Sequence, residues 1–257
     1  MAEFKGFDKN FGISGKTAVV TGSAKGIGKA IALMFAEKGA NIVLVDMDPG
    51  IKEVSDEIKK MGRKTVELVY DISLTGNINI IVKECLKNFP KIDILVNSAG
   101  VGLVDDAEKI TEEIWDKTMS VNLKALFLLS QAVGKEMMRQ GKGKIINIAS
   151  IAGPIAFEKH SAYTASKAGV IGLTKNMALE WAKYGINVNS ISPIVTLTEM
   201  GRTVWIGELG ENMKKKIPMG RFNDPSEIAA VALFLASDAT DMITGHNFVI
   251  DGGYSIQ

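Results

Sequence analysis

With 257 residues, 46% of them hydrophobic, the chain is long enough to bury one sizeable α/β core. Its formal net charge of +1 leaves no electrostatic footprint for nucleic acid, and its single cysteine, Cys85, allows no internal disulfide. No apolar run reaches the length of a membrane span, Met1–Asp8 carries mixed charge in place of an apolar leader, and His160 and His246 lack a surrounding ligand cluster. A cytoplasmic protein with no metal, membrane or nucleic-acid partner is expected.

Apolar runs predict strands at Thr17–Val20, Asn41–Val45, Thr65–Val69, Ile92–Asn97, Lys144–Ala149, Asn187–Ser190 and Asn247–Ile250. Amphipathic helical stretches alternate with them, which predicts a parallel sheet of about seven strands covered on both faces. The first strand runs into Gly22, Gly26 and Gly28, after which Ile27, Ile31, Met34 and Phe35 follow helical spacing up to Gly39. Strand, glycine turn and helix form a phosphate cradle, because a turn without side chains admits a pyrophosphate to the backbone and the helix N-terminus supplies free N–H groups. The second strand ends at Asp46, where a carboxylate accepts hydrogen bonds from an adenosine ribose and repels a 2′-phosphate. NAD is therefore expected over NADP, with Lys25 in the turn offering a 2′-phosphate some attraction and leaving NADP as the minor alternative.

A long helix is predicted from Thr111 to Val133, opened by the capping-type run Thr111-Glu-Glu-Ile. Asn122 lies in its middle, where asparagine is a poor helix former unless it bonds something specific. Downstream, Ser150, Tyr163 and Lys167 follow the pattern Ser-x12-Tyr-x3-Lys. Four residues apart on a helix, Tyr163 and Lys167 share a face. A free tyrosine titrates near pH ~10, and a neighbouring ammonium is expected to draw it down toward general-base range while Ser150 orients a substrate oxygen. Between Pro193 and Pro225 lie more than thirty residues without a strand signal, suited to a substrate lid at about 194–224.

Taken in order, these motifs resemble the short-chain dehydrogenase/reductase family. Its glycine motif stands as Thr21-Gly22-Ser-Ala-Lys-Gly26-Ile-Gly28, its Asn-Asn-Ala-Gly motif as Asn97-Ser98-Ala99-Gly100, and its Pro-Gly after strand six as Pro193-Ile194. The resemblance implies a single Rossmann-type doubly wound α/β domain over residues 1–257. It also implies a catalytic set of Asn122, Ser150, Tyr163 and Lys167, with Asn122 holding a relay water beside Lys167. Implied cofactor contacts are Gly22, Ser23, Lys25, Gly26, Ile27, Gly28 and Asp46 in the cradle. Asp71 and Ile72 follow at the adenine, then Asn97, Ala99 and Gly100, then Tyr163 and Lys167, and finally Pro193, Val195 and Thr198 toward the carboxamide. A homotetramer is the implied assembly.

His160, the lid segment up to Trp205, Ile217-Pro-Met-Gly-Arg-Phe222 and the closing Val249-Ile-Asp-Gly-Gly253 resemble the L-xylulose reductase and polyol dehydrogenase branch. That branch implies a substrate pocket of Ser150, His160, Tyr163 and Trp205, with His160 donating to a substrate hydroxyl. The expected reaction is hydride transfer between NAD and a polyol, vicinal diol or sugar-derived secondary alcohol. The alternatives are a 3-ketoacyl thioester reductase of the same family, or a catalytically silent dinucleotide-binding protein.

Overall fold

A computed structural model describes residues 6–257; the first five residues of Met1–Asp8 lie outside them. Seven parallel strands form one sheet in the order β3-β2-β1-β4-β5-β6-β7. They are β1 Thr17–Thr21, β2 Asn41–Asp46, β3 Thr65–Val69, β4 Ile94–Asn97, β5 Gly143–Ile148, β6 Ile186–Pro193 and β7 Asn247–Ile250. Helices α1 Gly26–Glu37, α2 Ile51–Lys60 and α9 Pro225–Ala236 cover one face. On the other lie α3 Thr75–Asn88, α5 Leu126–Gln140 and α6 Ser161–Trp181. Alternation along the strands explains this double cover: Val43 and Val45 enter the α3–α5–α6 core, whereas Ile42 and Leu44 enter the α1–α2–α9 core. Strand order reverses between β1 and β4, which opens a crevice at their C-terminal ends.

Three departures from the sequence reading have local causes. β4 begins at Ile94 rather than Ile92, because the Gln140 side chain pairs with both the N–H and the carbonyl of Ile92 in place of a strand neighbour. β6 extends to Ile186–Pro193 because its polar side chains have buried work: Asn187 and Asn189 donate to the Ile243 carbonyl, and Ser190 and Ser192 donate to Asn247. The helix expected over Thr111–Val133 is α4 Glu112–Met119, a π turn over Ser120–Ala125, and then α5, which runs on to Gln140. Thr111 caps α4 through the Ile114 N–H as its sequence predicts.

After β6 the chain forms two short helices, α7 Glu199–Val204 and α8 Gly207–Lys215. The two ends of this excursion are clipped together, Leu197 N–H donating to the Asn223 carbonyl and Asn223 N–H to that of Val195. A satellite apolar cluster of Ile151, Ile194, Met213, Ile217 and Phe222 fills the space beneath it. Ile194, where the family has glycine, buries its side chain there with an ordinary negative φ. Among the described residues, no helix is long and apolar enough to cross a membrane, and no cluster of metal-ligating side chains occurs.

Candidate active site

At the crevice, the β1–α1 turn is built for close backbone approach. Gly22 has φ +65°, and a Cβ there would meet the Ala99 Cα at 2.7 Å; a Cβ on Gly28 would meet the Gly22 carbonyl oxygen at 2.1 Å. No side chain caps α1, whose N-cap is Lys25, so its first N–H groups face the turn without a side-chain acceptor. This is the cradle a dinucleotide pyrophosphate fits. Thr21, a site residue the sequence reading left out, fastens it: its hydroxyl accepts the Ser98 and Ala99 N–H groups, each at 3.1 Å, joining the ends of β1 and β4. Its place just before Gly22 in the glycine motif was the available signal.

Asp46 ends β2 with its carboxylate accepting the Ala24 N–H of the glycine turn and the Asp48 N–H, both at 3.0 Å. Lys25 does not reach out alone. Its ammonium lies 3.5 Å from Asp48, and Asp48, held by the Gly50 N–H and this ammonium, is pulled below the usual carboxylate range. Asp48 therefore pairs with the turn's lysine, while Asp46 accepts backbone N–H groups beside it. Asp71 spends its carboxylate on Ser73, whose hydroxyl and N–H hold its pKa down, with Lys117 3.9 Å away, while Ile72 beside it is buried. Ser23 and Ile27 turn inward, Ser23 donating to the Val45 carbonyl.

Asn97 directs its amide nitrogen into the protein, donating to Ser130 and Asn147, and Asn147 donates onward to Thr174, while the buried Asn97 Oδ1 has no partner among the described residues. Gly100 lies directly over the catalytic candidates, since a Cβ on it would meet Asn122 Oδ1 at 3.2 Å and Lys167 Nζ at 3.6 Å. Pro193 closes β6, and Val195 packs on the satellite cluster. Thr198 reaches the glycine turn, where a Cβ on Gly26 would meet its methyl at 3.1 Å; its hydroxyl caps α7 instead of standing free.

Ser150, Tyr163, Lys167 and Asn122 converge at the end of β5. Ser150 hydrogen-bonds the Tyr163 hydroxyl, and the Lys167 ammonium lies 5.6 Å from the Tyr163 ring centre. Lys167 is buried, and it donates to the Ile148 carbonyl at 2.8 Å. Asn122 explains the π turn: its Oδ1 accepts the Val101 N–H, and its Nδ2 donates to the Val101 carbonyl and to Ser166. π turns frequently mark functional sites because they displace a carbonyl from the helical ladder. The Asn122 amide thus bonds protein groups on both of its polar atoms. Ser166, unmarked in the sequence, donates to the Tyr163 carbonyl at 2.7 Å within α6 and, by accepting from Asn122, ties α6 to this turn.

Burial, rather than the ammonium alone, governs the phenol. It pushes Tyr163 above its ordinary pKa, with the Ser150 hydrogen bond opposing, and it pushes Lys167 down to about 8. Each charge is costly by itself in this enclosed setting, so phenolate and ammonium are favoured together.

His160 abuts Tyr163 edge-on, with ring centres 5.9 Å apart. Its Nδ1 lies 2.5 Å from the Glu158 carbonyl, which can only accept. Nδ1 therefore carries the hydrogen, and in the neutral ring Nε2 is an acceptor, not the donor expected from sequence. Trp205 packs on Phe222 in the satellite cluster, 6.2 Å between ring centres.

Residues 22–255 match the family model described as enoyl-(acyl carrier protein) reductase. An NAD-dependent glycerol dehydrogenase of Listeria innocua is 55% identical over 99% of both chains. A D-threitol dehydrogenase of Mycolicibacterium smegmatis is 45% identical over 97% of this chain and 96% of its own. Among solved structures, a gluconate 5-dehydrogenase of Burkholderia cenocepacia in complex with NADP and tartrate superposes with a TM-score of 0.92. It is 33% identical and covers 96% of this chain and 98% of its own. By its fold, its motifs and these relatives, the chain belongs to the short-chain dehydrogenase/reductase family.

Proposed function

We propose that this protein transfers a hydride between NAD and a polyol, vicinal diol or sugar-derived secondary alcohol. The observation that carries the reading is the meeting of Ser150, Tyr163 and Lys167 with a dinucleotide cradle ending in Asp46. Two curated relatives, matched along nearly their full length, act by name on glycerol and D-threitol, and the first is NAD-dependent. The carrier-protein description of the family model keeps a thioester reductase as the rival; Asp46 and the paired Asp48 disfavour the 2′-phosphate cofactor such an enzyme would be expected to use.

Bound NAD⁺ supplies the hydride acceptor. Gly22, Gly26 and Gly28 with the α1 N–H groups would hold its pyrophosphate, Asp46 a ribose, and Asp71 with Ile72 the adenine side. Lys167 would contact the second ribose, with Pro193, Val195 and Thr198 beyond it. Tyr163 removes the substrate hydroxyl proton, and Ser150 holds the oxygen as its charge develops. Lys167 favours the phenolate by keeping its own proton nearby. The carbonyl displaced by the π turn at Asn122 is suited to hold a water for the outgoing proton. The segment at about 194–224 serves as the lid, with Trp205 facing substrate.

Assembly as a cytoplasmic homotetramer is supported by the family resemblance. On the α4–α5–α6 side, a groove of about 580 Å³ lined by Asp116, Met119, Ser120, Leu123, Lys124, Phe127 and Leu173 is a face that a second copy would cover.

Two expected results test this reading. Steady-state kinetics should give a higher kcat/KM with NAD⁺ than with NADP⁺, and Asp46→Ala should narrow the gap; equal use of both by the unmodified protein would contradict the assignment. His160→Ala should cost about 1–3 kcal/mol of transition-state binding for a tetritol, whose further hydroxyl loses its partner, and should spare a monohydroxy alcohol. Equal loss on both substrates would reduce His160 to a loop residue.

A further inference from the structure

Residues 251–257 fold against residues 216–219 at the end of the excursion that follows β6. Gly252 and Gly253 both take left-handed conformations, φ +61° and +90°, and fold the tail tightly onto the lid. A Cβ on Gly252 would meet Ile217 Cγ2 at 2.8 Å, and one on Gly253 would meet Pro218 Cγ at 3.1 Å. The Asp251 carboxylate accepts the Gly253 and Ser255 N–H groups, fixing the turn, and its pKa is drawn down. Met219 N–H donates to the Gly252 carbonyl, and the Gln257 side chain bonds the Lys216 carbonyl, so tail and lid form one unit.

This turn lays Tyr254 on Phe157, with ring planes 15° apart and centres 5.8 Å apart. Phe157 in turn meets His160 at 5.8 Å, and His160 meets Tyr163 at 5.9 Å. The His160 loop needs such support. Lys159 sits in the left-handed region at φ +65°, a strained conformation for a lysine. It is held there by the Asp105 N–H, which donates to its carbonyl, and by its ammonium 3.5 Å from Asp106. Lys159 is thus clamped by residues 105 and 106, and the neighbouring His160 meets an aromatic row that starts at the Asp251–Tyr254 turn.

We infer that Tyr254 is a positioning residue: through Phe157 it holds the His160 ring where Nε2 meets a further hydroxyl of the substrate, and so it sets the preference for multi-hydroxyl over monohydroxy alcohols. The inference rests on the polyol reading of the site. Tyr254 stacks on Phe157, one ring removed from His160, so its effect is preorganisation, the removal of alternative His160 conformers before substrate arrives.

The test compares kcat/KM for a tetritol with that for butan-2-ol in the full chain and four variants: Tyr254→Ala, Tyr254→Phe, His160→Ala and the double variant Tyr254→Ala/His160→Ala. Tyr254→Ala should lower the tetritol-to-butanol ratio about five- to tenfold, mainly through KM. Tyr254→Phe, which keeps the ring, should stay within about twofold of the parent, and NAD⁺ affinity should be unchanged throughout. In the His160→Ala background, Tyr254→Ala should produce no further fall, because both substitutions remove the same contact. Equal losses on both substrates, or a full additional loss in the double variant, would overturn the inference. Should His160→Ala alone leave the ratio unchanged, the histidine's role in polyol recognition fails first and the inference with it. A selective effect of His160→Ala without one of Tyr254→Ala sinks only the inference.

Discussion

Tyr163→Phe is expected to reduce turnover by about two orders of magnitude or more while leaving NAD⁺ affinity nearly unchanged. The ring stays, so the packing against His160 and the enclosure of Lys167 are kept, and only the hydroxyl shared with Ser150 is lost. Stopped-flow turnover with a tetritol and fluorescence titration of the cofactor measure the two halves of the expectation. Turnover close to the parent's would remove Tyr163 from proton transfer. Because burial holds the phenol above its ordinary pKa, alcohol oxidation should speed up as pH rises and the phenolate becomes populated. A flat profile would mean that another group accepts the proton.

Lys167→Met is expected to separate function from stability. Turnover should fall by about two orders of magnitude, since the buried ammonium that accompanies the phenolate is gone. Stability should move the other way at neutral pH. Lys167 titrates at about 8 in the folded chain and near its ordinary value when unfolded. Between those values the unfolded chain binds the extra proton, so this group's contribution to stability rises with pH through that window and is lowest below it. Holding the ammonium buried at neutral pH costs about 3 kcal/mol. Methionine avoids that cost but leaves the Ile148 carbonyl without its donor, a loss of about 1–3 kcal/mol. The melting-temperature difference between variant and parent should therefore be more favourable to the variant at about pH 7 than at about pH 10, by roughly 5–10 °C. A difference independent of pH over that range would show that the buried amine keeps its proton in the folded state as it does in the unfolded one, so that burial does not lower its pKa.

The parts of this site visible in the sequence were those written in local pattern. β-branched runs gave the strands, because a strand buried on both faces needs nothing else to declare itself. The glycines at 22, 26 and 28 gave the cradle, because only residues without Cβ fit that turn. Asp46 and the Tyr163–Lys167 pair were legible from spacing along one element. What was hidden depends on contacts between distant segments. The π turn at Ser120–Ala125 exists because Asn122 bonds Val101 and Ser166, and nothing in the surrounding helical periodicity reveals those partners. The inward turn of Asn97 depends on Ser130 and Asn147 from two other elements. Asp48's hold on Lys25 and the stacking of Tyr254 on Phe157 likewise arise only once loops meet. The acceptor character of His160 Nε2 follows from a carbonyl two residues away that no residue identity specifies.

The most direct test of the account is the initial rate of cofactor reduction, followed by absorbance, for the purified protein with NAD⁺ and a panel of glycerol, tetritols, pentitols, vicinal diols and aldonates. A parallel assay follows NADPH consumption with a 3-ketoacyl thioester. The account predicts NAD⁺-dependent oxidation of at least one polyol or vicinal diol, abolished in Tyr163→Phe, and no comparable thioester reduction. Thioester reduction with NADPH, together with inactivity across the polyol panel, would contradict it.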